Sequence, residues 1–302
     1  MPIDISIKFA RLPHGLIYYY QHWIPHKPRA LVVFLHGLGD HSGRYSQFIK
    51  RIVGEQCACA IYDQRGHGQT QGPRGHVAQF ADWVDDLASF VQFSRSNLPA
   101  ETPLIIVGYG LGALIGINYL LMHAQPVDGM VSISATLAPK VQMPRWKREL
   151  TKKFHGILPK FSVGNGIRFE DLSRDFKEVE NMSDDNLFHR RFTLSTDNEI
   201  IKNLELLAGL PARIHVPMLM LAGSDDRICD CNASVWFTAR LSSEDKECHI
   251  YPGMYHDLLH DIGKEKVMDD VAKWITARTQ TNCAAANQYP LNQKEVLWEN
   301  VS

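Results

Sequence analysis

Short apolar runs alternate with amphipathic stretches through most of this chain. Leu31-Val32-Val33-Phe34-Leu35 and Leu104-Ile105-Ile106-Val107 carry no polar side chain, the pattern of a parallel strand buried on both faces. Comparable runs predict strands at 58–62, 129–134, 218–222 and 247–251. Between them, residues 45–54, 80–96, 111–123, 233–241 and 264–278 read as helices. Two further strands, 5–9 and 16–22, flank the turn signal Leu12-Pro13-His14-Gly15. Alternation of this kind predicts an α/β fold, with a mostly parallel sheet and helices on both faces. It stops from 139 to 210, where charged residues and helix formers predominate. That segment is expected to be a helical cap inserted between two pieces of core, 1–138 and 211–278, and residues 279–302 look like an aperiodic tail.

Composition narrows the classes. Thirty-two basic residues against 33 acidic ones leave nothing to attract nucleic acid. No run of eighteen apolar residues is present, and Met1-Pro2-Ile3-Asp4 lacks the pattern of a secretion signal, so a cytoplasmic location is the expectation. The six cysteines, at 57, 59, 229, 231, 248 and 283, include two C-x-C pairs. That spacing suits neither a disulfide framework nor a zinc site, and reduced thiols with no metal are expected.

Candidate chemistry gathers where strands end. The stretch Val107-Gly108-Tyr109-Gly110-Leu111-Gly112-Ala113 has the form of a nucleophile elbow. In the G-x-S-x-G version a serine sits at the apex of a tight strand-to-helix turn, and the next residue supplies an oxyanion-binding N–H. Here the apex is Gly110. After the strand at 31–35 comes His36-Gly37-Leu38-Gly39, a turn that can aim backbone N–H groups at a developing oxyanion. Asp63-Gln64-Arg65-Gly66-His67-Gly68 follows another strand and reads as a structural brace. Asp225 and Asp226 lie just past the strand at 218–222, and His256 lies in the loop after the last strand. The order apex, acid, histidine is that of α/β-hydrolases, in which the acid fixes the histidine tautomer.

A rival reading comes from Gly108-x-Gly110-x-x-Ala113, which also fits the dinucleotide fingerprint, with Asp128 twenty residues beyond Gly108. The fingerprint belongs in the first strand–helix turn, and its acid should follow the second strand. Neither condition holds here, so no cofactor is expected.

Taken together, the motifs resemble the monoacylglycerol lipase and lysophospholipase branch of the α/β-hydrolase superfamily, the serine aminopeptidase-like group. The likeness rests on His36-Gly37-Leu38-Gly39-Asp40-His41-Ser42-Gly43-Arg44-Tyr45 and on Asp63-Gln64-Arg65-Gly66-His67-Gly68-Gln69-Thr70-Gln71-Gly72-Pro73-Arg74-Gly75. It continues through Asn165-Gly166, Leu172-Ser173-Arg174-Asp175 and the loops bearing Asp226 and His256, and it covers residues 5–277. It implies an eight-stranded sheet, a helical cap after the sixth strand over an acyl pocket, and hydrolysis of a lipid ester through an acyl-enzyme. Carried over by position, Asp226 is the acid, His256 the general base, and Leu38 and Leu111 the oxyanion N–H donors. Asp225 and His260 are the lesser candidates.

Gly110 departs from that pattern, since the family has serine there. A chain without the hydroxyl is expected to be nearly inert towards esters, apart from weak attack by a water beside His256. Two origins fit: an introduced substitution, or a natural noncatalytic protein that binds a lipid or a protein partner. The N-myc downstream-regulated family, a noncatalytic α/β-hydrolase group, also has glycine at this apex. Within the cap, residues 145–154 place Trp146, Leu150 and Phe154 on one stripe among lysines and arginines. The stripe suits packing over the pocket, or peripheral contact with a lipid surface.

Overall fold

The computed structural model describes residues 2–13, 15–96, 98–123, 126–141, 154 and 156–279. Strands β1 (Ile3–Arg11) and β2 (Ile17–Pro25) form an antiparallel hairpin, followed by β3 (Leu31–Leu35), α1 (Ser46–Gly54), β4 (Ala58–Tyr62) and α2 (Phe80–Arg95). Next come β5 (Leu104–Tyr109), α3 (Leu111–Met122) and β6 (Gly129–Ile133). The chain then leaves the main sheet and returns with β9 (Met218–Gly223), α6 (Cys231–Arg240), β10 (Lys246–Tyr251) and α7 (Lys264–Thr279). The sheet has eight strands in the order β1-β2-β4-β3-β5-β6-β9-β10. β1, β2 and β4 are joined antiparallel, and every pair from β4 to β10 is parallel.

The central strands are uninterrupted apolar runs because each feeds two cores. Leu31, Val33 and Leu35 of β3 join Trp83, Leu87, Leu114 and Phe237 under α2, α3 and α6. Val32 and Phe34 join Ile49, Ile52, Val267 and Val271 under α1 and α7 on the other face. Each such side chain removed from water contributes about 1.5–3 kcal/mol. Helix α3 is buried from Leu111 through Tyr119, so it shows no polar face.

The excursion between β6 and β9 contains more than helices. Strands β7 (Ser162–Gly164) and β8 (Arg191–Thr193) pair antiparallel, beside α4 (Phe176–Asp184) and α5 (Leu194–Leu207). A three-residue strand is too short to leave a periodic signal, hence the purely helical expectation for this segment. Backbone bonds from His189 N–H to Gly39 O (2.8 Å) and from Thr193 N–H to Gly75 O (3.1 Å) tie the excursion to the loops beneath it. Of the stripe at 145–154, only Phe154 falls within the described residues, and the tail beyond Thr279 lies outside them. Among the described residues, no disulfide joins Cys57, Cys59, Cys229, Cys231 or Cys248.

Candidate active site

Position 110 is built by close packing around it. β5 ends at Tyr109, and Gly110 turns the chain into α3 with φ +55° and ψ −114°. An L-residue reaches that conformation only under strain. The turn is held from three sides: Gly110 N–H donates to Ile133 O (2.9 Å), and Gly110 O accepts from Leu114 N–H (3.3 Å) and Thr136 N–H (3.2 Å). Its neighbours are glycine for want of room. A Cβ on Gly108 would lie 2.6 Å from the Ala113 backbone, and one on Gly112 would lie 2.3 Å from Leu35 O. At Gly110 itself there is space, since a Cβ would meet His256 Nε2 at 3.6 Å, Gly37 Cα at 3.7 Å and Thr136 Oγ1 at 3.9 Å.

The loops after β9 and β10 bring Asp226 and His256 together. His256 Nδ1 lies 2.8 Å from Asp226 Oδ2, and both residues are buried. Asp226 Oδ1 accepts from the N–H groups of Ile228 (2.7 Å) and Cys229 (2.9 Å). Burial pushes this carboxyl up, but the nearby imidazole and the two N–H donors outweigh it and hold it below its ordinary range. An ionised Asp226 keeps the ring proton on Nδ1 and leaves the Nε2 lone pair facing Gly110. The lesser candidates are engaged elsewhere. Asp225 is exposed and accepts from Ser224 Oγ (2.8 Å), while both ring nitrogens of His260 are taken, by Asp257 (2.8 Å) and by Arg44 O (3.0 Å).

Leu38 and Leu111 line the same pocket as Gly110 and His256. Among the described residues, neither backbone N–H has an acceptor. The turn that carries Leu38 is braced from behind. His36 Nδ1–H donates to Gly37 O (2.8 Å), and Nε2 accepts from Gln64 N–H (2.9 Å). Asp63 accepts from the N–H groups of Ser42 (2.7 Å) and Gln69 (2.7 Å), which makes its motif a support for the loop rather than a reacting group. A buried ion network adjoins it, with Arg44 spanning Asp40 (3.0 Å) and Asp257 (3.1 Å) and Tyr45 Oη donating to Asp40 (2.5 Å).

Above Gly110 is a cavity of about 380 Å³, whose walls include Leu38, Ile167, Leu172, Phe192, Ile200 and Leu204. Arg190 and Glu205 also line it. Thr136 borders both this cavity and the apex, and no sequence signal marks it, because it becomes a neighbour of Gly110 only once β6 is laid beside β5. Asp128 sits at the opposite end of β5, where its carboxylate accepts from Leu104 N–H (2.8 Å), so it is out of reach of any group bound at Gly110. No cluster of metal-ligating side chains occurs among the described residues, and no helix there is long and apolar enough to cross a membrane.

Residues 26–263 match the family described as Serine aminopeptidase, S33. The monoglyceride lipase of Homo sapiens is 29% identical over 91% of this chain and 94% of its own length. An abhydrolase domain-containing protein of Dictyostelium discoideum is 28% identical over 89% of this chain, which spans only 28% of that longer relative. Among solved structures, the monoacylglycerol lipase of Paleococcus ferrophilus superposes with a TM-score of 0.76 at 26% identity, over 92% of this chain and 100% of that one. A soluble variant of monoglyceride lipase from Saccharomyces cerevisiae, in complex with a substrate analog, has a TM-score of 0.84 at 19% identity, over 93% and 97%. The fold is that of the α/β-hydrolases.

Proposed function

As this chain belongs to the serine aminopeptidase S33 family, we propose that its pocket takes carboxylic esters of long acyl chains, of the monoacylglycerol or lysophospholipid class. Asp226 is the acid of the site, His256 its general base, and the N–H groups of Leu38 and Leu111 its oxyanion donors. The core at 1–138 and 211–278 carries these groups, and the cap at 139–210 covers the acyl chain. A cytoplasmic protein in peripheral contact with a membrane through its cap completes the reading. The observation that carries it is the 2.8 Å Asp226–His256 pair aimed at an elbow beneath an apolar cavity.

Gly110 limits the chemistry. Loss of the nucleophile from a serine protease costs about a million-fold in kcat and leaves roughly a thousand-fold over water. With glycine at the apex, turnover by this chain is expected to be close to nil, and any remainder comes from water activated by His256. The second reading, a noncatalytic protein that binds a lipid or a partner in the same pocket, is favoured by Gly110 alone. Hydrolysis of monoacylglycerol and p-nitrophenyl esters by the chain and by Gly110→Ser separates the two. Turnover restored by serine and abolished again by His256→Ala supports a hydrolase lacking only its nucleophile. No turnover with serine in place supports the binding protein.

A further inference from the structure

The β1 edge of the sheet is long and apolar. β1 runs nine residues in unbroken register with β2, from Ile3 opposite Pro25 to Arg11 opposite Ile17, with neither a bulge nor a proline to blunt it. It stands first in the strand order, so its second edge meets no strand among the described residues. Ile3, Ile5, Ile7 and Phe9 alternate along one face and are 43–48% exposed. Tyr19 and Trp23 of β2 lie on the same face, with the Tyr19 ring edge-on to Phe9 at 5.5 Å. A long apolar edge is a template for another strand, and proteins ordinarily guard such edges with charge. Apart from Arg11 at its end, the charges of this strand are Asp4 and Lys8, which are exposed, share the other face and have opposite signs.

We propose that two copies of this chain pair along this edge, β1 antiparallel to β1, about a two-fold axis normal to the sheet. The order of side chains selects the register. Odd positions must oppose odd positions if both apolar stripes are to share one face. With Ser6 opposite Ser6 of the second copy, Ile3 meets Phe9, Ile5 meets Ile7 and Asp4 meets Lys8, each pair occurring twice. Centring the pair on Ile7 instead leaves Asp4 against Ala10 and Lys8 against Ser6. Centring it on Ile5 leaves Asp4 against Ser6 and Lys8 against Pro2. Only the first register sets every member of the stripe against another and both charges against their opposites, the pairs that stabilise a sheet. The strand is complementary to itself, which is what a two-fold contact requires. Three strands lie between β1 and β5, and β1 is no part of the described wall of the cavity over Gly110, so the pocket stays open in the pair.

Sedimentation velocity of the full chain from about 1 to 200 µM tests this, a range suited to a small interface. The average mass should rise with concentration from 34.3 kDa towards twice that value. Asp4→Lys and Lys8→Asp each set like charges against one another at both ends of the pair, and each should weaken pairing by about tenfold or more. An equimolar mixture of these two variants again has opposite charges at every facing position, and should dimerise as the unaltered chain does. That recovery also shows that neither variant has lost its fold. A single species of 34.3 kDa at every concentration overturns the proposal. Dimers gained only when residues 280–302 are removed overturn it as well, since the chain would then cover its own edge. A dimer indifferent to both charge reversals, or variants that fail to pair on mixing, overturns the β1 contact.

Discussion

His256 Nε2 stands 3.6 Å from the point where a Cβ on Gly110 would lie, while Nδ1 of the same ring is held 2.8 Å from Asp226. That separation leaves room for one further atom between carbon and nitrogen, which is what a serine hydroxyl needs in order to hand its proton to the ring. The backbone at 110 already has the conformation that strains any other residue there. The site therefore keeps the geometry of a nucleophile elbow although glycine needs none of it.

The three glycines of the elbow should respond differently to alanine. Gly110→Ala meets only ordinary contacts and should cost about 1–2 kcal/mol, from backbone strain alone. Gly108→Ala and Gly112→Ala drive a Cβ to 2.6 Å and 2.3 Å from backbone atoms that cannot swing aside. Each should cost about 3 kcal/mol or more, as overpacking at its most severe does. Urea denaturation of the variants measures this, and equal losses at all three positions would count against the elbow as described.

In the Gly110→Ser background, Asp226→Asn should lower kcat by about ten-thousand-fold with little change in KM, because the wrong tautomer then faces the serine. Steady-state kinetics on a soluble ester decide the matter. A loss below about tenfold would show that another group orients His256.

Arg44 joins the loop after β3 to the loop after β10 through Asp40 and Asp257, with both carboxylates buried and the Arg44 side chain nearly so. Burial pushes the Asp257 carboxyl up, but His260 and Arg44 overcome this and hold it far below its ordinary range. Arg44→Met leaves two buried carboxylates without their cation and should destabilise the fold by about 3–5 kcal/mol. Adding Asp40→Asn and Asp257→Asn should recover part of the loss in the same chemical denaturation assay. No recovery would mean that the packing of Arg44, and not its charge, matters.

Acid should weaken the fold through His22, which packs on Phe90 and Phe93 and touches Ser94 Oγ at 3.0 Å. Burial, helped by Lys8, pulls it from 6.5 down to about 4. The unfolded chain thus takes up a proton below pH 6.5 that the folded chain refuses until near pH 4. This stability is present above the unfolded value and lost as pH falls, by about 2 kcal/mol between pH 7 and pH 5. His22→Gln should flatten that part of the curve when unfolding free energy is measured against pH. An unchanged slope would place the acid sensitivity in His36 or His67, which burial also pulls down.

Much of this was legible in the chain because central parallel strands leave no room for polar residues: β3 runs from Leu31 to Leu35 as read, and β4 from Ala58 to Tyr62. The outer hairpin was read short because β1 mixes Asp4, Ser6 and Lys8 with its apolar positions, as an edge strand with exposed residues on both faces does. The Asp226–His256 pair followed from order along the chain, since strand ends on one edge of a parallel sheet converge. Thr136 and the Arg44 network did not. Their partners lie on strands and loops remote in sequence, and no local pattern marks a threonine that borders an apex 26 residues away. Gly110 was visible from the start, but that its surroundings leave space for a side chain needed the fold.

The central claim is that only the hydroxyl is missing, and labelling with a fluorophosphonate, read by mass spectrometry of the intact chain and its peptides, tests it most directly. The account predicts no adduct on the chain as it stands, one adduct at position 110 of Gly110→Ser, and its loss when His256→Ala is added. An adduct on the unaltered chain, or none on Gly110→Ser, would contradict it.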